Sequence, residues 1–153
     1  MSFSAVAVTV AADLFEIVPA ANVPIVILGF RIEQQNRFGD ANEDVIPVAW
    51  VRGNTTTGSG GTAASAGTTL VAKDGRDGAA TFTAATCNTT PATAGTAATC
   101  YNGGWNVRGP MYEVFTEDQQ IRCDAGQNRI CLRLGKAPGA STTISGSVDV
   151  KEL

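Results

Sequence analysis

The stretch Ile25–Gln34, with the sequence IVILGFRIEQ, gives the clearest indication of the fold. It begins as an unbroken apolar run and then alternates, with the apolar residues Phe30 and Ile32 each followed by a charged residue, Arg31 or Glu33. An unbroken apolar run is typical of a strand that is buried on both faces, whereas alternation is typical of a strand with one face in water. The stretch therefore predicts a β-strand that runs from the middle of a core to its edge.

Other short segments alternate in the same way. In Val45–Arg52, the residues Ile46, Val48 and Trp50 share one face, which predicts a half-buried strand with Trp50 in the core. The remaining predicted strands are Ser4–Val10, Leu14–Val18, Gly104–Arg108, Met111–Phe115, Arg129–Leu134 and Thr143–Val150. Glycine, proline and asparagine separate these segments, and none of them has a helical period. The pattern predicts an all-β fold, an antiparallel β-sandwich that is jelly-roll-like and has long Gly/Thr-rich loops.

Composition limits the class of protein. The chain has 153 residues, which predicts a single domain spanning residues 1–153. Its net charge is −3 and its pI is about 4.8, and this acidic balance disfavours nucleic-acid binding. The sequence has no histidine, so a Ser-His-Asp arrangement is impossible and the commonest metal ligand is missing. We therefore expect no enzyme activity, no cofactor and no nucleic-acid partner.

The amino-terminal part of the sequence indicates synthesis in the cytoplasm without export. The first basic residue is Arg31, whereas a secretory signal has a basic region before its apolar stretch. The apolar stretch Ile17–Phe30 is interrupted by Pro19 and Pro24 and is shorter than a membrane-spanning helix. We therefore expect no membrane partner.

The middle of the chain, Gly53–Val107, has low charge and few bulky apolar residues. Its only charged residues are Lys73, Asp74, Arg76 and Asp77, so it cannot build a core of its own. Two interpretations remain open, a disordered insert or long loops with one or two strands laid over a framework made by the two ends. The second is favoured because Phe82, Trp105 and the cysteines have the character of anchors.

The four cysteines are Cys87, Cys100, Cys123 and Cys131. Their spacing lacks the close pairs of a zinc site or a redox motif. Two disulfides, Cys87–Cys100 and Cys123–Cys131, are the simplest interpretation, and four free buried thiols are the alternative. Because no export signal precedes them, oxidation would follow release from a lysed cell.

Two loops contain residues that resemble ligand sites. Gly58-Ser59-Gly60-Gly61 is rich in glycine, but a phosphate-binding loop needs a following Lys and helix, so a flexible or tightly bent loop is favoured. The carboxylates of Asp40, Glu43 and Asp44 form a weak candidate for a Ca²⁺ site. A turn at Gly39-Asp40 is the favoured alternative.

Two aromatic residues are candidates for an exposed contact. Tyr101 and Trp105 flank the turn sequence Asn102-Gly103-Gly104 and could stack on a sugar. The favoured interpretation is that both are anchors packed on the sheet.

One combination of motifs resembles a known family. The residues that carry it are Phe38, Gly39, Asp40, Ala41, Glu43, Arg52, Gly53, Gly58, Ser59, Gly60 and Gly61. This F-G-D-A … R-G … G-S-G-G pattern resembles that of small tailed-bacteriophage virion proteins, which are head decoration, cement or minor capsid proteins. Trp105–Arg108 and the closing Ile144–Leu153 resemble further strands of that family, whereas the four cysteines and the segment Thr81–Thr99 are not part of its pattern.

The resemblance implies a capsid-associated β-sandwich on the outside of the head. Its implied partners are the major capsid protein and further copies of itself, a trimer by analogy. We expect two segments, Gly53–Ala72 and Ser2–Val10, to touch neighbouring molecules. The alternative is that the first is a mobile surface loop and the second an edge strand. Two alternatives are a minor head or tail component and a virion or secreted lectin-like module that binds host glycan through Tyr101 and Trp105.

Overall fold

The computed structural model describes residues 1–35, 45–125 and 128–153. Within these residues the chain forms antiparallel β-strands and one short 3₁₀ turn, Glu117–Gln119. The strands are β1 Ser2–Val8, β2 Asp13–Val18, β3 Ile25–Gln34, β4 Val45–Thr56, β5 Thr62–Ala63, β6 Thr83–Asn88, β7 Thr93–Asn106, β8 Met111–Val114, β9 Ile121–Cys123, β10 Arg129–Leu134 and β11 Thr142–Glu152. In the described ranges no helix is long and apolar enough to cross a membrane.

The strands form two sheets. The five-stranded sheet, called sheet A, has the order β1-β11-β3-β8, and β9 pairs with the same edge of β3 as β8 does. The six-stranded sheet, called sheet B, has the order β5-β6-β2-β10-β4-β7. Every strand pair is antiparallel, so the predicted all-β antiparallel class is confirmed.

The two sheets pack face to face around one apolar core. The Phe30 ring of sheet A lies 5.9 Å from the Trp50 ring of sheet B, at a nearly perpendicular angle of 79°. Nearer the start of the chain, the rings of Phe3 and Phe15 are 5.1 Å apart across the same gap. Trp50 is fully buried, as predicted, and burial of each large apolar side chain contributes roughly 1.5–3 kcal/mol. The core that joins the sheets confirms the sandwich.

The middle segment contributes strands to sheet B. Its long loops lie over a framework made by the two ends of the chain, which is the favoured interpretation. Phe82 and Trp105 are buried anchors. It contributes more strands than the expected one or two, because β5, β6 and a long β7 all lie in it. Only the last part of β7 was predicted, as Gly104–Arg108. Between β5 and β6 the chain crosses the surface in an exposed loop, residues 71–81, whose turn is closed by the Asp77 amide donating to the Asp74 carbonyl at 3.0 Å.

Candidate functional site

The glycine-rich motif is a tight loop pressed against the edge of sheet B. The Ser59 amide donates to the Thr90 carbonyl at 2.9 Å, and the Thr90 amide donates back to Ser59 at 3.0 Å. Gly60 has a φ of +81°, which favours glycine, and a Cβ on Gly61 would lie 2.3 Å from the Thr86 carbonyl oxygen. Of the two forms predicted for Gly58–Gly61, flexible or tightly bent, the structure has the tightly bent one, and the Gly58 and Ser59 amides donate to protein acceptors.

A buried carboxylate holds the start of this loop. Glu16 is 1% exposed and lies on the outer face of sheet B, beneath the loop. Its Oε2 accepts hydrogen bonds from the Gly58 amide at 3.0 Å and from Asn88 Nδ2 at 2.6 Å, and its Oε1 accepts one from Arg129 Nε at 3.0 Å. Three separate segments of the chain are thereby joined at one side chain.

A second carboxylate, Asp13, repeats the arrangement beside the first. It is fully buried and accepts hydrogen bonds from Arg133 Nε at 2.7 Å, from Arg133 Nη2 at 3.0 Å and from the Ala92 amide at 2.7 Å. The bond to Asp13 raises the pKa of the Arg133 guanidinium, which therefore stays charged. Asp13 and Glu16 are three residues apart and would point to opposite faces of a regular strand. The register shift between Leu132 and Arg133 brings both carboxylates to the outer face.

The same cluster contains the thiol of Cys131. One possible ligand atom from each of Asp13, Glu16 and Cys131 lies within 4.8 Å of the others. Burial raises the pKa of the Cys131 thiol, and the two carboxylates raise it further, whereas a metal would need the thiolate. Both carboxylates already carry arginine partners, so the arrangement is an ion-paired structural centre. We call Asp13, Glu16, Arg129 and Arg133 the outer ionic cluster.

The remaining motif residues divide into two groups. Gly53 has a φ of +92° at a bulge in β4, and Arg52 Nη1 donates to the Arg122 carbonyl at 2.9 Å, which ties β4 to β9 of the other sheet. The candidate Ca²⁺ ligands and the first half of the motif lie outside the described residues. They are Phe38, Gly39, Asp40, Ala41, Glu43 and Asp44.

The cysteines are four free thiols, and both predicted disulfide pairings are wrong. Cys87 lies on β6 and Cys100 on β7, at opposite sides of sheet B with three strands between them. At about 4.8 Å per strand the two are roughly 19 Å apart, whereas the Cα atoms of a disulfide lie within about 7 Å. Cys123 and Cys131 belong to different sheets, and Cys131 faces Asp13 on the outer side of sheet B. Burial raises the pKa of Cys87 to about 12 and of Cys123 to about 11.

The two aromatic residues proposed as exposed contacts are anchors instead. Trp105 is 1% exposed, and its Nε1 donates to the Gly109 carbonyl at 2.7 Å. Tyr101 packs its ring 5.7 Å from both Phe30 and Phe115, and its hydroxyl donates to Glu113 at 3.1 Å. Burial, followed by the Glu113 carboxylate, raises the pKa of Tyr101 to about 12. The possible exposed contact through Tyr101 and Trp105 is therefore wrong, and the structure has the favoured anchor interpretation, because both rings pack against the core between the sheets.

The edges of the two sheets differ in how they are protected. In sheet B, β5 has two residues, and in sheet A, β8 and β9 have four and three. The other edge of sheet A, β1, is bulged at Ala5, where φ is +53°, and its Ser2 amide donates to the Thr69 carbonyl at 2.9 Å. β7 has 14 residues, and no charged residue lies in it. Its first part, Thr93–Cys100, is exposed throughout.

No protein-family model, curated protein or solved structure matches this chain. The geometry of the described residues is therefore the basis for assigning a function.

Proposed function

We propose that this chain is a structural virion protein that decorates the outside of a tailed-phage head and bridges neighbouring major capsid proteins. The observation that carries the proposal is the long, charge-free edge strand β7 of sheet B. The motif resemblance points to the same class of protein.

An unpaired edge strand offers a row of main-chain N–H and C=O groups to an extended segment of another molecule. Soluble proteins usually protect such an edge with charged residues, proline or β-bulges. β7 has no charged residue and no proline, and its protection is limited to bulges, which are marked by two register shifts against β4 and by the positive φ of Ala94 and Gly95. Small Thr, Ala and Gly side chains along Thr93–Cys100 leave room for a neighbour on both faces. An edge with this composition fits a protein whose working state is an assembly, in which a capsid segment covers β7.

We also propose that the sandwich is jelly-roll-like. Early strands pair with late strands in succession, β1 with β11, β2 with β10, β3 with β8 and β4 with β7. This is the ladder of one long hairpin, and it lies rolled across two sheets, as in the double Greek key of a jelly roll. β5 and β6 are then an insertion that extends sheet B beyond β2.

Rigidity supports a structural role. The outer ionic cluster and the glycine loop cover the outside of sheet B, and the carboxylates of the cluster are held by arginines. A side chain fixed in this way stabilises a fold and has no free group to offer a reaction, so the proposal assigns no catalytic centre.

The proposed partners are the major capsid protein and further copies of the chain, with a trimer taken by analogy to the family that it resembles. Many weak contacts repeated over a symmetric shell add up to strong retention. A net charge of −3 suits the outer surface of a shell filled with DNA, and the proposed location is the capsid exterior after synthesis in the host cytoplasm.

The test mixes purified protein with heads of the encoding virus that were prepared without it. We expect the wild-type chain to sediment with the heads and to raise the temperature at which they release their genome. The variant Ala97→Lys places a charge on β7, and we expect it to bind at least about tenfold more weakly. Ala79→Lys is the matched control, because it places the same charge in the exposed loop of residues 71–81.

Two results would count against the proposal. If the wild-type chain neither sediments with the heads nor protects them, the decoration role is wrong. If Ala97→Lys binds as well as Ala79→Lys, the bridging role of β7 is wrong, even where the chain itself is retained on heads.

A further inference from the structure

The outer face of sheet A forms a polar platform that the proposed function does not use. One row crosses four strands, from Tyr112 on β8 through Arg31 on β3 and Ser147 on β11 to Ser2 on β1. Tyr112 is 68% exposed, although a tyrosine ring is largely apolar. An exposed aromatic ring beside polar groups is a common element of ligand recognition.

The polar groups of the platform are held in place before any ligand arrives. Arg31 and Glu33 follow one another along the outer face of β3, and Gln35 comes directly after the strand. Arg31 Nη2 donates to Glu33 Oε2 at 2.5 Å, and Gln35 Nε2 donates to Glu33 Oε1 at 3.1 Å. This chain of side chains presents both donors and acceptors to the solvent.

Two depressions on this face adjoin each other. The smaller one, of about 160 Å³, lies where Gly29 has no side chain between Val114 and Asp149, and Tyr112 forms one wall. The larger one, of about 430 Å³, has a floor of serine residues on β1 and β11. Arg31 and Ser147 line both depressions, so the two form one continuous path across the sheet. The path is about 14 Å long, because it spans three strand spacings.

The charges of the platform cancel locally. Arg31 pairs with Glu33, and Lys73 Nζ lies 2.6 Å from Asp149 Oδ2. An anionic ligand such as a nucleic acid or a phosphate would meet the Glu33 carboxylate beside Arg31 and the Asp149 carboxylate beside Lys73 and the Met1 ammonium. A neutral ligand with many hydroxyl groups and one apolar face fits better, because it uses the donors and acceptors as well as the ring.

We propose that the outer face of sheet A binds a neutral saccharide chain. The Tyr112 ring lies under the C–H face of one sugar unit, and Arg31, Glu33 and Asp149 exchange hydrogen bonds with hydroxyl groups. The glycan-binding alternative considered from the sequence relied on Tyr101 and Trp105, which are anchors in this fold. The platform replaces them with an exposed ring on the opposite sheet.

The test uses the isolated protein and a panel of defined neutral oligosaccharides, namely maltohexaose, cellohexaose, chitohexaose and mannohexaose. Binding is measured by calorimetry. We expect at least one of them to bind the wild-type chain. Tyr112→Ala weakens that binding by about tenfold or more, whereas Tyr112→Phe keeps the ring and retains most of it. Arg31→Met removes the donors and weakens binding as well.

The matched control is Val71→Ala, which shortens another exposed apolar residue outside the platform and leaves binding unchanged. Because Tyr112 is exposed, its variants keep the melting temperature of the control. If no member of the panel binds at millimolar concentration, or if Tyr112→Ala binds like Val71→Ala, the proposal is wrong. No heads are present in this experiment, so its outcome is independent of the decoration role.

Discussion

Replacing Glu16 with glutamine tests whether the outer ionic cluster holds the fold together. The carboxylate is 1% exposed and accepts hydrogen bonds from Gly58, Asn88 and Arg129. The amide has the same shape, but only one of its two terminal atoms can accept. Glu16→Gln therefore leaves one donor without an acceptor and removes the counter-charge of the Arg129 guanidinium.

The size of the effect follows from the burial of the pair. The Arg129 side chain is 16% exposed and that of Glu16 is 2% exposed. Removing one partner of a buried pair costs roughly 3–5 kcal/mol. Arg129 keeps two other acceptors, the Thr55 carbonyl and the Thr57 hydroxyl, which places the expected loss at the lower end, about 3 kcal/mol. For a domain of this length that corresponds to a melting temperature lower by about 6–12 °C.

The assay is equilibrium unfolding in urea at neutral pH, with calorimetry as a second measurement. The control is Glu33→Gln, whose partner Arg31 has a side chain that is 52% exposed. Solvent screens that pair, so the control should lose less than about 1 kcal/mol. If Glu16→Gln unfolds within about 1 kcal/mol of the wild type, like the control, the cluster is not a source of stability and the reasoning is refuted.

Three further predictions concern the glycine loop, the thiols and the tyrosine anchor. A Cβ on Gly61 would lie 2.3 Å from the Thr86 carbonyl oxygen, so Gly61→Ala should lower the free energy of unfolding in urea by about 1–3 kcal/mol. The control Gly75→Ala, which has nothing within 4 Å, should change that free energy by less than about 0.5 kcal/mol. Equal losses in the two variants would show that the loop is not packed against the sheet. In the native protein a thiol reagent should modify the exposed Cys100 quickly and the other three cysteines only after unfolding, and fast reaction of a second thiol would contradict their burial. The pKa of Tyr101 is raised from 10.0 to about 12, so the folded state favours the protonated phenol, and this contribution to stability is intact below pH 10 and lost as the pH rises through about 12. Tyr101→Phe should therefore make the loss of stability at alkaline pH less steep. An unchanged dependence of stability on pH would contradict the burial of Tyr101.

The strands that were predicted well are those whose own residues alternate. β3 and β10 have the bounds that the sequence predicts, because each has a row of apolar side chains that must face a core. The first part of β7 consists of Thr, Ala and Gly residues that are exposed, so it carries no apolar pattern. Pairing with β4 holds it in place, and one strand's sequence does not reveal its partner.

The outer ionic cluster was missed for a related reason. Glu16 lies within Leu14–Val18, which is predicted to be an apolar strand. A charged residue inside an apolar strand indicates that it is buried together with a partner of opposite charge, and this indication was overlooked. Its alignment with Asp13 depends on a register shift against β10, which local periodicity cannot predict. The cysteines failed differently, since short sequence separation suggested pairs that the sheet order keeps far apart.

The loop of residues 71–81 offers a use that follows from its openness. Gly75 and Gly78 have no atoms within 4 Å of where a side chain would begin, and both lie in the loop between β5, which ends at Ala63, and β6, which begins at Thr83. A foreign peptide spliced beside Gly78 would project into solvent without disturbing either sheet. In the proposed assembly on a head, every copy of the chain would then carry one such peptide.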